Sequence, residues 1–147
     1  MAGSEVQGRV EEWVRAEWMP PRYGRSFQRK SVALVTGGEH SFSAVSDDGR
    51  IVAKVATGSK ITASGRRAVG VLSKLRADLL FMTMTDADQK LVLVTQPDMF
   101  ELCQRELAAG NVPPGVDFVH VELPRELARA LRDAKARASE EVTPRRT

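Results

Sequence analysis

The feature that most constrains this chain is the tetrapeptide Asp47-Asp48-Gly49-Arg50, set between two β-rich runs, Phe42 to Ser46 and Ile51 to Ala56. Asp-Gly between such runs predicts a β-hairpin, because glycine accepts the positive φ that a tight hairpin turn demands. The turn also fixes a register. Residues whose numbers sum to 97 then face each other, so Ser43 opposes Lys54 and Ser41 opposes Ala56.

The flanking segments alternate between helical and extended patterns. Val6, Val10, Trp13 and Val14 recur at helical spacing, which predicts a helix of about three turns stopped by Met19-Pro20-Pro21. Arg22 to Lys30 reads as a basic connector, and Ser31 to Thr36 as a strand ended by Gly37-Gly38. Beyond the hairpin, Thr57 to Ser64 reads as a flexible loop, with Ser64 capping a helix along the stripe Ala68, Val71, Leu72, Leu75 and Leu79. Leu80 to Thr85 and Lys90 to Thr95 read as two strands joined by a tight turn at Asp86-Ala87-Asp88. Thr95 and Pro97 then open a helix that closes at Gly110, Val116 to Leu123 is a strand, and Pro124 starts a last helix. This order predicts an α/β fold, a mixed central sheet covered by helices on both faces with an antiparallel hairpin inside it.

At 147 residues, with 42% apolar and 28% charged side chains, the chain matches one globular domain over 1–147. Its core is expected over about 5–95, a C-terminal β/α extension over about 96–141, and a frayed tail over 142–147. Leu79 to Met82 and Leu91 to Val94 are too short to cross a bilayer, and Met1 is followed by Ala-Gly-Ser-Glu rather than by an apolar leader. With Cys103 as the only cysteine, a reducing cytoplasm is the expected location and a buried structural thiol the expected role.

Charge is distributed unevenly. Residues 1–85 carry 13 basic and 8 acidic side chains, a balance of +5, whereas residues 86–147 carry 9 and 11, a balance of −2. Arg50 to Ala77 holds Arg50, Lys54, Lys60, Arg66, Arg67, Lys74 and Arg76 without an acid, and Trp18 to Gly38 holds Arg22, Arg25, Arg29 and Lys30 likewise. Two acid-free stretches on one face would attract phosphate backbones through counterion release.

Over about residues 5–95, the opening α-βββ-α-β order with its central Asp-Gly hairpin resembles the PD-(D/E)xK, or restriction-endonuclease-like, nuclease fold. The resemblance implies a carboxylate on the second core strand and a Glu-x-Lys on the third, converging to hold magnesium beside a scissile phosphate, sometimes with a glutamate from the first helix. Magnesium prefers such hard oxygen ligands, and a lysine can polarise the attacking water. By the family spacing Ser43 stands in place of the strand-two Asp, Lys54 in place of the Glu, and Ala56 in place of the Lys. Asp47 and Asp48 lie roughly 15 Å along the strand from Ser43 and read as turn formers. A Lys54 ammonium would also repel a cation. The implied site is therefore degenerate, with Glu39, Glu11 or Glu12 as the carboxylates that could relocate into it.

Other constellations are weaker. A desolvated lysine beside a serine can activate the hydroxyl, but nothing near Ser43 and Lys54 forms an oxyanion motif, which leaves a polar pair in a sheet. Thr57 to Arg67 lacks the spacing of a nucleotide-binding loop and reads as a loop that touches nucleic-acid phosphates ahead of a helix. His40 and His120 have no paired spacing for a metal, and Tyr23 is the candidate for base stacking. The leading expectation is thus a nuclease-like domain that binds DNA or RNA through phosphate contacts from Arg22, Arg25, Lys60, Arg66, Arg67 and Lys74. It carries no committed catalytic or metal residue, no membrane contact and no cofactor. Two alternatives stay open: a magnesium-dependent nuclease drawing on Glu12, Glu39, Ser43 and Lys54, and a non-enzymatic interaction scaffold, including a homodimer.

Overall fold

Val6 and Val10 sit one helical turn apart and both are buried, so the first segment of the chain folds as a helix with one face inward. In this computed structural model, which describes residues 2–59 and 69–142, that helix is α1 (Ala2–Trp13). It continues through a π-helical segment, Val14–Trp18, into α2 (Met19–Tyr23). The prolines therefore do not stop the helix as the sequence pattern predicts. Pro20 and Pro21 enter the first turn of α2, after the wider π turn, where a missing N–H deprives the helix of little. Termination falls to Gly24, whose φ of 66° lets its N–H reach the Pro20 carbonyl at 2.8 Å.

Five strands follow the order β1-β2-β3-β4-β5 across one sheet. They are β1 (Phe27–Ala33), β2 (Glu39–Ser46), β3 (Ile51–Ala56), β4 (Gln89–Val94) and β5 (Val116–His120). β2 is antiparallel to both its neighbours, and β3, β4 and β5 run parallel. β1 starts earlier than expected and absorbs the end of the basic connector. Gln28, Arg29 and Lys30 are exposed, and an edge strand tolerates charge because its side chains meet water.

A second correction concerns Leu80 to Thr85, which is not a strand. It completes α3 (Val69–Thr83) and the turn after it. Leu75, Leu79 and Met82 are buried while Leu80 is 58% exposed, a spacing of three and four that only a helix produces. A short apolar run has no period of its own, so the helix already under way decides its state.

α4 (Pro97–Ala108) and α5 (Arg125–Val142) complete the chain. α3 and α4 lie on one face of the sheet, over Phe42, Val45, Val52, Val92, Val94 and the buried Cys103. α1 and α5 pack together on the other face, over Ala44, Ile51, Ala53, Val55, Leu93 and Val121. β3 and β4 are thus buried on both sides, as parallel strands between two helical layers must be. Among the described residues no helix is long and apolar enough to cross a membrane.

Candidate functional site

The hairpin is closed as its sequence predicts. Gly49 adopts φ 73° and its N–H bonds the Ser46 carbonyl at 2.9 Å. Asp48 Oδ1 accepts from Ser46 Oγ at 2.7 Å and from the Arg50 N–H at 3.1 Å, so the aspartate is spent on the turn. The pairs Ala44 with Ala53 and Val45 with Val52 keep the expected register.

Beyond Ala44 that register stops. Gln28 of β1 pairs with Val45 and Lys30 with Phe42, so Arg29 alone faces both Ser43 and Ala44. This β-bulge resets the alternation of β2: Phe42 and Val45 both join the α3/α4 layer, whereas Ala44 joins the α1/α5 layer. Ser43 consequently does not face Lys54 as a simple cross-strand pair. Its hydroxyl accepts the Val55 N–H at 3.0 Å, and its carbonyl accepts from Arg15 Nη1 at 2.9 Å. The two hydrogen bonds stitch the bulge to β3 on one side and to the π-helical segment on the other.

The bulge leaves a small fork between β2 and β3, a cavity of about 130 Å³ reached from both helical layers. Lys54 projects into it. Its ammonium donates to the Ser41 carbonyl at 2.8 Å, sits 3.8 Å from Asp78 Oδ1, and lies 5.5 Å from the centre of the Phe42 ring. Arg29, Lys74 and Glu11 also line the wall, which gives three cations against two carboxylates. Burial pushes the Lys54 ammonium below its ordinary value, with Lys74 and Arg29 adding to the shift while Asp78 and Glu11 oppose it. Burial likewise raises Asp78, even though Lys54, Lys74 and His40 pull the other way. His40 stacks on Phe81 at 4.0 Å between centroids, and desolvation followed by the Lys54 charge lowers its pKa.

Of the residues singled out from sequence, Glu11, Ser43, Lys54 and Lys74 meet at the fork. Glu12 does not line it and is exposed on α1; the helix turns its neighbour Glu11 inward instead. Glu39 is exposed at the start of β2 opposite Ala33, about 13 Å along the strand from Ser43, and is not part of the wall. Arg22 and Arg25 lie toward the turn end of the hairpin. Arg22 bonds the Trp18 carbonyl and covers the Trp18 ring at 4.1 Å, and Arg25 pairs with Asp48 at 2.8 Å. These two therefore do not share the fork with Lys74. Lys60, Arg66 and Arg67 lie outside the described residues, as does Ser64. Tyr23, half-buried between Trp18 and Phe27, is part of the packing rather than a free stacking platform.

Asp78 is the residue the sequence reading misses. It falls on the inward stripe Val71, Leu75, Asp78, Met82, where an acid among apolar residues marks a buried partner. It is also the acid that ends the acid-free stretch Arg50 to Ala77.

Two carboxylates, Glu11 and Asp78, line the fork. Among the described residues no three of His, Cys, Asp and Glu come together as a metal group, and Asp78 is already paired with the Lys54 ammonium. A nucleophilic Ser43 is not supported either, because its hydroxyl is an acceptor for Val55 and Lys54 is bound elsewhere. The geometry offers a polar notch walled by three cations and two carboxylates, with a mainly apolar slot of about 210 Å³ adjoining it and sharing Gln7, Val55, Lys74 and Asp78. In comparisons with known proteins, the chain matches no family model, no curated protein and no solved structure.

Proposed function

We propose that the chain is a nucleic-acid-binding domain of restriction-endonuclease-like fold, in which an ammonium-carboxylate pair takes the place of a metal site. The observation that carries this reading is the position of Lys54, held in the fork by the Ser41 carbonyl and Asp78 where a hairpin nuclease would gather acids. The α-βββ-α-β order supports the fold resemblance. The surplus of cations supports the ligand: Arg29, Lys54 and Lys74 exceed Glu11 and Asp78 by one charge at a notch of phosphate size, and the adjoining apolar slot can take a sugar or base. The acid-free segment carrying Lys60, Arg66 and Arg67 precedes α3 in the chain and contributes to the basic balance of residues 1–85.

The test is a salt titration of binding to fluorescein-labelled DNA and RNA, single-stranded and duplex, read by anisotropy. Contacts to about three phosphates predict roughly a 40-fold loss of affinity between 50 and 200 mM salt. Arg29→Ala with Lys74→Ala, and separately Arg66→Ala with Arg67→Ala, should each weaken binding uniformly across sequences. Affinity indifferent to salt and to both double variants would exclude the reading. Magnesium-dependent cleavage that disappears in Asp78→Asn would replace it with a nuclease. Absence of any retention, with a concentration-dependent sedimentation coefficient, would replace it with a self-associating scaffold.

A further inference from the structure

A second cavity, of about 690 Å³, lies away from the fork at the carboxyl ends of β4 and β5. Its position follows from the chain path. α4 leaves β4 toward the layer that holds α3, whereas α5 leaves β5 toward the layer that holds α1. Where consecutive connections diverge to opposite faces, the sheet leaves a crevice beyond its carboxyl edge, the usual ligand position in open α/β sheets. The volume is within the range of about 300–1,000 Å³ typical of small-molecule sites.

The crevice is short of negative charge. Lys135 of α5 reaches in half-buried and donates its ammonium to the Thr57 carbonyl. Burial lowers its pKa, with the charge of Asp98 opposing. Among the described residues no carboxylate lies within ion-pair distance of Lys135 or of Arg132, which lines the same wall. Glu122 is the one carboxylate in the described wall, so two cations outnumber it. Lys135 is the half-buried member of the pair, held by the Thr57 carbonyl, while Arg132 is exposed and free to turn toward a ligand. Thr95 and Gln96 form a polar floor, Gln96 Nε2 donating to Thr95 Oγ1 at 3.3 Å, and Leu123 and Ala128 form an apolar side.

We propose that this crevice binds a small molecule bearing a phosphate monoester. Arg132 and Lys135 meet the phosphate, whose charge near −2 matches two cations and whose oxygens suit the guanidinium fork. The organic part lies along Leu123 and Ala128. The site is separate from the fork and does not depend on the nucleic-acid reading.

Amide NMR shifts on titration with inorganic phosphate, adenosine 5′-monophosphate and adenosine provide the test. Phosphate and the monophosphate should move the same set of signals around His120, Arg132 and Lys135, with adenosine at least about tenfold weaker. Arg132→Ala, at an exposed position that folding does not need, should weaken the monophosphate about tenfold. Lys135→Met should weaken it further, and Lys74→Ala at the fork should leave it unchanged. No shifts at millimolar phosphate and monophosphate would overturn the proposal, as would equal binding of adenosine or unaltered affinity in Arg132→Ala. A 5′-phosphorylated oligonucleotide that displaced the monophosphate at lower concentration than the monophosphate itself would also overturn it, by making the crevice a strand-end site.

Discussion

Replacing Asp78 with asparagine should make the protein less stable and a better nucleic-acid binder at the same time. Asp78 and Lys54 lie 3.8 Å apart with side chains 17% and 19% exposed. At an effective dielectric near 20 their attraction is about 4 kcal/mol, but withdrawing both groups from water offsets most of it. The pKa directions agree, since desolvation is the leading influence on each partner and acts against the charged form. Asparagine leaves the ammonium half-buried with the Ser41 carbonyl as its acceptor and Glu11 as the remaining carboxylate of the wall. Fully buried pairs lose 3–5 kcal/mol when one partner goes; residual solvent access here reduces the expected loss to about 2 kcal/mol. For a chain of this length that is a fall in Tm of about 4–8 °C. Replacing both, Lys54→Met with Asp78→Leu, should restore most of the loss because no buried charge remains. Binding moves the other way. The fork gains one unit of positive charge, so DNA affinity at 50 mM salt should rise and the log-log salt slope steepen by about 0.9. Circular dichroism melts and anisotropy titrations measure the two effects on the same samples. An unchanged Tm together with weaker DNA binding would refute the reasoning, because Asp78 would then be helping to hold the ligand rather than restraining Lys54.

Three further outcomes are expected. Ser43→Ala removes the acceptor of the buried Val55 N–H and should lower stability by about 2 kcal/mol in urea, with faster hydrogen exchange at Val55; unaltered exchange there would mean the bulge is held by other bonds. Hydrogen bonds from Ser46 and Arg50, with the Arg25 charge, hold the Asp48 carboxyl below its ordinary value. Its contribution is therefore present above the unfolded-state pKa and lost as pH falls through the folded-state pKa, so urea midpoints of Asp48→Asn should converge with those of the parent on acidification and separate from them at neutral pH. Burial pushes the Cys103 thiol up to about 11, and the residue is fully enclosed. Roughly one thiol in a thousand is ionised at pH 8, so disulfide-exchange reagents should label it only in denaturant; rapid labelling of the native protein would contradict its placement.

The central hairpin was legible because Asp48 and Gly49 each do a local job, one accepting turn hydrogen bonds and the other taking a positive φ, and local jobs leave local letters. The register near the turn was legible for the same reason, and it failed at Ser43 because a bulge depends on what β1 places opposite. Nothing in Ser41-Phe42-Ser43-Ala44 declares which residue is supernumerary. Leu80 to Thr85 is ambiguous from sequence because its apolarity fits a helix or a strand until its neighbours are known. The prolines misled because a π turn, which has no sequence signature of its own, carried the helix past them. At the fork, Lys54 and Lys74 are legible because their strand and helix positions are regular, whereas Ser43 reaches it from a register that the bulge breaks. Glu11 and Glu12 are both candidates from sequence and the rotation of α1 decides between them, while Asp78 depends on which helical layer covers the gap.

The outer margin of β1 bears on how copies of this protein meet. A border strand with free backbone groups invites another chain to extend the sheet, which is how many folded proteins begin to polymerise. Here Gln28, Arg29 and Lys30 crowd that margin with exposed polar and cationic side chains, and the bulge opposite Arg29 bends the ribbon away from the flat geometry that a newcomer would need to copy. The same residue that lends charge to the fork therefore also guards the sheet against runaway growth along its open side.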